Sequence, residues 1–457
     1  MPLGEWAERR EYRERGRVAR LCEDQPLGRD RGGAGVLERL GWNALSYGPF
    51  RTFFVANFAG NTSWFVFNAG FGWFILTATG SAAIEGLAFF IAGLPFLLLT
   101  LHAGLLTDRY GAKRLVSLSF FLTGVTMMGL GALALVPNAP LVLILGVAFL
   151  TGTFQTIGAP GYISIVNDLV PAGDVSSAVA LNFLGISIGR IAGGIIGGFL
   201  VAVFPPASAI VVGGLLQAIP ALPISRLPTP PFVPPPTSSR SLVRPILEAA
   251  GFAIRYRTLG VILVLSAVPG ALGLSYNYLL PVAARDFGIG GQGLAVLLAM
   301  AGIGGLVAGL LAETIMRAAG HGRAIFIGLW TSAAGMLIFG LSPLLEVSVA
   351  STTLIGGGFV IYAAASLSLV QALSPSTIRG RVTSLFALLY WGLMPVGGLI
   401  GGIVAEAAGS RVAFTLAGAC LVGAGGLAIV ARRQIIALRV HRDGTTVANG
   451  VAVEFAA

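Results

Sequence analysis

The feature that most limits what this chain can become is a procession of apolar runs between Thr52 and Val430, each about as long as a membrane crossing and nearly free of charge. A helix that spans the hydrocarbon core needs about 20 mostly apolar residues. The runs divide into about twelve such segments, expected near 52–78, 82–106, 114–136, 139–166, 175–203, 207–225, 258–284, 292–316, 324–344, 347–373, 380–406 and 411–431. Of 457 residues 55% are hydrophobic and 11% charged. A single soluble core could not hide that much apolar surface from water. The 65 glycines favour helices over a barrel, because small residues let helix backbones approach closely in lipid. A barrel would show alternating segments of about 10 residues instead. The expected fold class is therefore an all-α membrane protein.

The net charge of +10 does not point to nucleic acid, because of where the charge lies. Between residues 52 and 431 there are fifteen Lys and Arg. Twelve fall in or beside the even-numbered connections, among them Arg109, Lys113, Arg114, Arg317 and Arg323. Arg285 and Arg411 fall in odd-numbered ones, and Arg190 lies within a span. This is the positive-inside asymmetry, which places both termini in the cytoplasm and the chain in the cell membrane. The partners it implies are a lipid bilayer and a small molecule. Cys22 and Cys420 cannot make a disulfide framework, and the three histidines stand far apart, so neither a metal nor a cofactor is expected.

Composition also divides the chain. Residues 1–50 carry ten Arg against eight acids, counting Arg51, and lack the apolar core of a signal peptide. They are expected to be a solvated cytoplasmic extension. Eight prolines between Pro223 and Pro245 exclude a continuous helix, so 226–257 is expected to be a cytoplasmic linker ending in a short amphipathic helix. It separates a six-helix half at 51–225 from a second at 258–431, with a cytoplasmic tail at 432–457. The halves echo each other: Gly193-Gly194-Ile195-Ile196-Gly197-Gly198 recurs as Gly397-Gly398-Leu399-Ile400-Gly401-Gly402, and Gly104-Leu105-Leu106-Thr107-Asp108 as Gly309-Leu310-Leu311-Ala312-Glu313. Duplicated bundles are the expected sign of a transporter whose halves rock about a midplane site.

Several residues stand out against this apolar background. Between the second and third spans, Gly104, Asp108, Arg109, Gly111, Lys113 and Arg114 form a compact charged hinge. Asp108 can cap or salt-bridge near a helix end, and Gly111 permits a sharp turn. An ion pair formed only when one side is closed would bias the rocking equilibrium; alternatively the charges simply stop the helices at the interface. Arg190 sits about 24 Å into the fifth helix from Asp174. A buried Arg costs at least about 2.5 kcal/mol, so it should face a cavity and meet an anionic substrate group, a carbonyl or an acid. On the first span Asn57, Asn61, Trp64 and Asn68 share one face, as do Thr151, Gln155 and Tyr162 on the fourth. Amides are costly against lipid, so these faces should turn inward, either to touch substrate or to join helices. Central acids are missing. Glu85, Asp108 and His102 are the candidate proton carriers, though each reads more readily as an interfacial residue.

The hinge resembles the major facilitator superfamily, whose corresponding loop reads G-x-x-x-D-R-x-G-R-[RK]; Gly104, Asp108, Arg109 and Gly111 match, and Lys113 and Arg114 supply the basic end one position late. Gly189, Gly193, Gly194, Gly197 and Gly198 resemble the superfamily's antiporter pattern G-x-x-x-G-P-x-x-G-G, with Gly194 where proline is usual. The resemblance implies that the first, fourth, seventh and tenth helices line the cavity, which adds Asn277, Tyr278, Tyr362 and Gln371 as candidates. Thr62-Ser63-Trp64, Phe71-Gly72-Trp73-Phe74-Ile75-Leu76, Leu94-Pro95-Phe96 and Arg379-Gly380-Arg381-Val382-Thr383-Ser384-Leu385 look like the enterobactin-exporter and macrolide-efflux branch. That branch implies a twelve-helix drug:proton antiporter, acting as a monomer, that moves siderophores, macrolides or other amphipathic molecules outward. An importer or metabolite transporter of the same fold is the rival reading. A polytopic membrane enzyme would need a cluster of acids, histidines or nucleophiles at one interface, and the sequence shows none.

Overall fold

A computed structural model of the protein describes residues 43–171, 174–228, 244–375 and 378–431, with short pieces at 435–436, 438–440, 446–448 and 451–452. Most of the expected N-terminal extension, and the proline-rich part of the linker, lie outside the described residues.

Twelve long helical units form two sets of six. The first six are α1 (Gly48–Thr79), α2 (Ala82–Tyr110), α3 (Ala112–Leu133), α4 (Leu141–Leu169), α5 (Val175–Val203) and α6, which runs over Pro206–Ala218 and resumes as Ala221–Ser225. The second six begin with α7, made of Arg257–Val268, a π turn at Pro269–Gly273, and Tyr276–Asp286. Then come α8 (Gly290–Ala319), α9 (His321–Leu341) and α10 (Leu345–Ala372). The last are α11, made of Arg379–Ala387, a π turn at Leu388–Gly392 and Met394–Ala408, and α12 (Ser410–Ala431). A linker helix, Arg244–Arg255, precedes α7.

Among the described residues, eleven helices are long and apolar enough to cross a membrane, and α1 is not one of them. The three amides expected to face inward, Asn57, Asn61 and Asn68, lie on α1 together with Thr62 and Ser63, and all five lower its hydropathy. The first helix starts earlier than composition suggests, because Pro49 in its opening turn needs no N–H partner.

The charged hinge is more helical than expected. α2 continues through Tyr110, so Gly104 to Arg109 form its last turns and the reversal falls on Gly111 alone. Gly111 has φ 85°, and its N–H donates to the Thr107 carbonyl before α3 begins at the next residue. Gly320, between α8 and α9, repeats this with φ 90° and an N–H donated to the Met316 carbonyl. A side chain is strained at such φ values, so the same turn appears at the same place in each half because glycine is there.

The buried clusters centre on one half or the other but reach across: Ala69, Leu76 and Ala82 join the second-half cluster, and Tyr278 joins one of the first-half clusters. Phe50, Phe53 and Phe120 anchor one cluster, and Phe67, Phe71 and Phe89 another, in the first half. Tyr362, Phe359, Phe339 and Phe414 lie in the large cluster of the second. The region 432–457, expected to be a plain tail, contributes a small antiparallel sheet of β1 (Leu438–Val440), β2 (Thr446–Ala448) and β3 (Val451–Ala452). Ile435 and Leu438 are enclosed, and the Ile435 carbonyl lies against Gly322 at the start of α9.

The halves touch through α2 with α11 and α5 with α8, and the close approaches fall in one half of the membrane. A Cβ on Gly86 would come within 2.5 Å of the Gly398 carbonyl, and one on Gly402 within 2.5 Å of the Ala82 carbonyl. A Cβ on Gly198 would collide with Ala295, and one on Gly291 would lie 2.8 Å from the Ala202 nitrogen. All four sites lie far from the turns at Gly111 and Gly320. At the hinge end a cavity between the halves reaches Gly104, Leu105, Thr383 and Ser384, and a Cβ on Gly104 would meet nothing within 4 Å. The bundle is therefore sealed at the far end and parted at the hinge end.

Candidate functional site

Between the halves lies a cavity of about 890 Å³ that reaches the hinge end at Gly104, Leu105, Thr383 and Ser384. Its floor lies near Leu294, Leu298 and Pro395, where the halves close on each other.

Most of the expected inward faces do line it. On α1 these are Asn57, Asn61, Trp64 and Asn68; on α4, Gln155 and Tyr162; on α7, Asn277 and Tyr278. Helix periodicity explains the first set, since steps of four, three and four keep one stripe turned toward α5 and the other half. The amides are partly satisfied at home. Asn61 donates to the Asn57 carbonyl at 2.8 Å, and Asn68 to the Trp64 carbonyl at 2.6 Å. Asn57 donates to the side-chain oxygen of Asn182 on α5. Just after the π turn in α7, the Asn277 side chain donates at 3.0 Å to the Leu274 carbonyl, which also accepts from the Asn277 backbone N–H at 3.3 Å. The side-chain oxygens of Asn68 and Asn277 have no hydrogen-bond partner among the described residues.

Two candidates on α10 sit elsewhere. Tyr362 is fully enclosed in the second-half core, its hydroxyl 3.0 Å from that of Ser266, and Gln371 is exposed outside the cavity. Thr151 is buried and bonds the Val147 carbonyl within its own helix. Sequence reasoning missed Asn182, Gln217, Phe65, Phe96, Phe120 and Trp391, which also line the cavity. Asn182 and Gln217 were findable as lone amides in apolar spans; the aromatics carry no such mark among many core aromatics.

Arg190 lines the cavity midway along α5. Its Nη1 donates to the Tyr276 hydroxyl across the interface at 3.5 Å, and its guanidinium lies 5.2 Å from the centre of the Phe65 ring. Its Nε has no partner among the described residues. Beside it, the α5 glycines fall into two stripes. Gly189, Gly193 and Gly197 pack against α1 at Thr62, Phe65 and Val66, while Gly194 and Gly198 pack against α8 at Leu298 and Ala295. The first stripe holds a half together and the second joins the two halves.

At the hinge, Arg109 lies 5.4 Å from the centre of the Tyr110 ring, and Lys113 donates to the Leu227 carbonyl at 3.0 Å. Arg114 is exposed, as is His102 within α2. The Asp108 side chain lies outside the described residues. At the far end, Glu85 is 1% exposed beside Gly72 and Phe89, with neither carboxyl oxygen hydrogen-bonded among the described residues. Near it two contacts cross between the halves. Glu406 at the end of α11 accepts from the Ala82 N–H at 2.6 Å and the Ala83 N–H at 3.4 Å, and Arg285 on α7 donates to the Gly80 carbonyl at 3.0 Å.

Two six-helix bundles around a shared interfacial cavity define a membrane transporter of the major facilitator fold. Solved structures share this architecture: the nucleoside transporter NupG superposes with a TM-score of 0.66 at 16% identity, covering 84% of this chain and 99% of the other. A bacterial homologue of the human lysosomal transporter Spinster does so with a TM-score of 0.64 at 16% identity, over 84% of this chain and 96% of the other. The transmembrane secretion effector family matches residues 40–443, and the chain belongs to that family. Among curated proteins it is similar to the enterobactin exporter EntS of Shigella boydii, with 23% identity over 337 residues, 74% of this chain and 80% of the relative. The enterobactin exporter of Citrobacter koseri is 24% identical over 311 residues, 68% of this chain and 71% of the relative. The chain is thus a multi-pass membrane transporter and not an enzyme.

Proposed function

We propose that this protein exports amphipathic small molecules of the drug, macrolide or siderophore class from the cytoplasm across the cell membrane, by alternating access in exchange for protons. The observation that carries this reading is the interfacial cavity, parted at the hinge end and sealed at the far end by α2 with α11 and α5 with α8. The excess of Lys and Arg at the hinge end supports a cytoplasmic mouth with both termini on the same side. The similarity to enterobactin exporters supports outward movement. A solute enters beside Gly104 and Ser384, is held by the amide stripe of α1 and by Arg190, and leaves when the far-end contacts part. The hinge charges at Asp108, Arg109, Lys113 and Arg114 then hold the cytoplasmic side shut. Glu85, placed where the far-end seal would open to the outside, is the proton carrier this scheme uses.

The test is transport in inverted membrane vesicles from a host lacking its own pumps, using a compound to which the protein confers tolerance. A pH gradient, acid inside the vesicle, should drive accumulation, and Arg190→Ala and Asn61→Ala should each cut the initial rate on the order of tenfold. Accumulation only in right-side-out vesicles would show an importer; wild-type rates in both variants would remove the site from this cavity.

A further inference from the structure

We propose that the cavity selects amphiphiles carrying an anionic head group, seated on Arg190, and discriminates against cationic ones; this deepens, and rests on, the transport reading above. Among the described residues that line the cavity, Arg190 is the one charged side chain. The rest are amides, hydroxyls, aromatics and aliphatics, so nothing offsets its positive potential and nothing there offers a cation a counter-ion.

The surroundings of Arg190 leave it short of partners. A guanidinium has five N–H donors, yet its hydrogen bond to Tyr276 is a single contact of 3.5 Å to a neutral hydroxyl, at the outer limit for such a bond. Phe65 covers part of one face, and the Nε has no acceptor among the described residues. Of the three partners that a buried Arg can have, the structure supplies no carboxylate beside it among the described residues, and no carbonyl bonds it. The third, an acceptor carried in by the ligand, remains. The ligand's apolar body has aromatic walls to lie on at Trp64, Phe96, Phe120 and Trp391. A carboxylate, sulfonate or phosphate head would gain charge-assisted hydrogen bonds from the fork of the guanidinium.

The experiment compares three probes that differ only in the head: pyrenebutyrate, pyrenebutanol and pyrenebutylamine. Binding to the full-length protein in lipid nanodiscs is read by tryptophan-to-pyrene energy transfer, with empty nanodiscs correcting for partition into lipid. At pH 7.5 the butyrate should bind on the order of tenfold more tightly than the amine, with the alcohol between. Arg190→Gln should erase the preference and Arg190→Lys should keep most of it. Asn61→Asp, which adds an acid to the same cavity and leaves Arg190 in place, should shift the preference toward the amine, so the proposal stays open to refutation if Arg190→Gln does not fold. Equal binding of the three probes, or a preference that survives in Arg190→Gln, overturns the proposal. Counterflow of the same probes in proteoliposomes separates the two readings. Selective binding without any counterflow refutes transport and leaves the anion site standing, whereas equal counterflow of all three refutes the anion site and leaves transport standing.

Discussion

At Glu85 a carboxyl group lies against Gly72 of α1, where Phe89 and Pro281 also approach, with neither oxygen hydrogen-bonded among the described residues. An ionised carboxylate enclosed in that way would carry several kcal/mol of desolvation. On the proposed exchange mechanism, that cost is what links the far-end seal to a proton. Glu85→Gln should therefore fold normally, judged by thermal unfolding in detergent, because it replaces an acid without a hydrogen bond among the described residues by a neutral isostere. It should lose on the order of tenfold in pH-gradient-driven transport while keeping substrate counterflow, which needs no proton. If gradient-driven transport survives intact, the proton travels by another residue. Legibility varied sharply at this scale. Asn57, Asn61, Trp64 and Arg190 stood out because polar groups are rare in apolar spans, and the cavity gathers them. Tyr362 did not follow, because a tyrosine can be satisfied inside a core by one hydroxyl, here that of Ser266. Nothing along the chain distinguishes those two fates.

Between elements, the far end is held by backbone as much as by side chains. The Glu406 carboxylate sits on the first two N–H groups of α2, which also has Ser81 capping Ile84 at 3.2 Å, so α11 of one half completes the helix start of the other. A carboxylate at a helix N-terminus contributes about 0.3–1 kcal/mol when exposed, as Glu406 is. Glu406→Gln should then shift the balance between far-end-closed and far-end-open states a few-fold toward open. Spin labels on Ala78 and Ala408, in a chain whose Cys22 and Cys420 are replaced by serine, would read this as growth of the longer distance. An unchanged distance distribution would show that the carboxylate does not hold the halves together. Element boundaries were readable where glycine forces them, at Gly111 and Gly320, and unreadable where tertiary packing decides. The two π turns are an example: Pro269–Gly273 and Leu388–Gly392 meet where Gly270 lies against the Leu389 and Tyr390 carbonyls, a match between distant segments that no local pattern announces. The glycine motif on α5 was visible as a string, but its division into one stripe for α1 and another for α8 depends on which helices flank it.

For the molecule as a whole, the number of crossings, the two halves and the interfacial cavity follow from hydrophobic length and internal repetition, which lipid enforces strictly because every backbone polar group must be satisfied within the span. The closed side of the interface and the small C-terminal sheet on α9 arise from long-range contacts that apolar run lengths cannot encode. The modest hydropathy of α1 has a consequence for biogenesis. A segment bearing three asparagines among its membrane-depth residues gains little by partitioning into lipid alone, and its Ser63 hydroxyl bonds the Gly213 carbonyl of α6, a helix synthesised much later. α1 should accordingly linger beside the insertion machinery until α6 emerges. A photocrosslinker on α1 should reach the insertion machinery in chains cut after α2 and lose that contact in chains cut after α6; equal loss of the crosslink in the shorter chain would show that this opening segment needs no later companion.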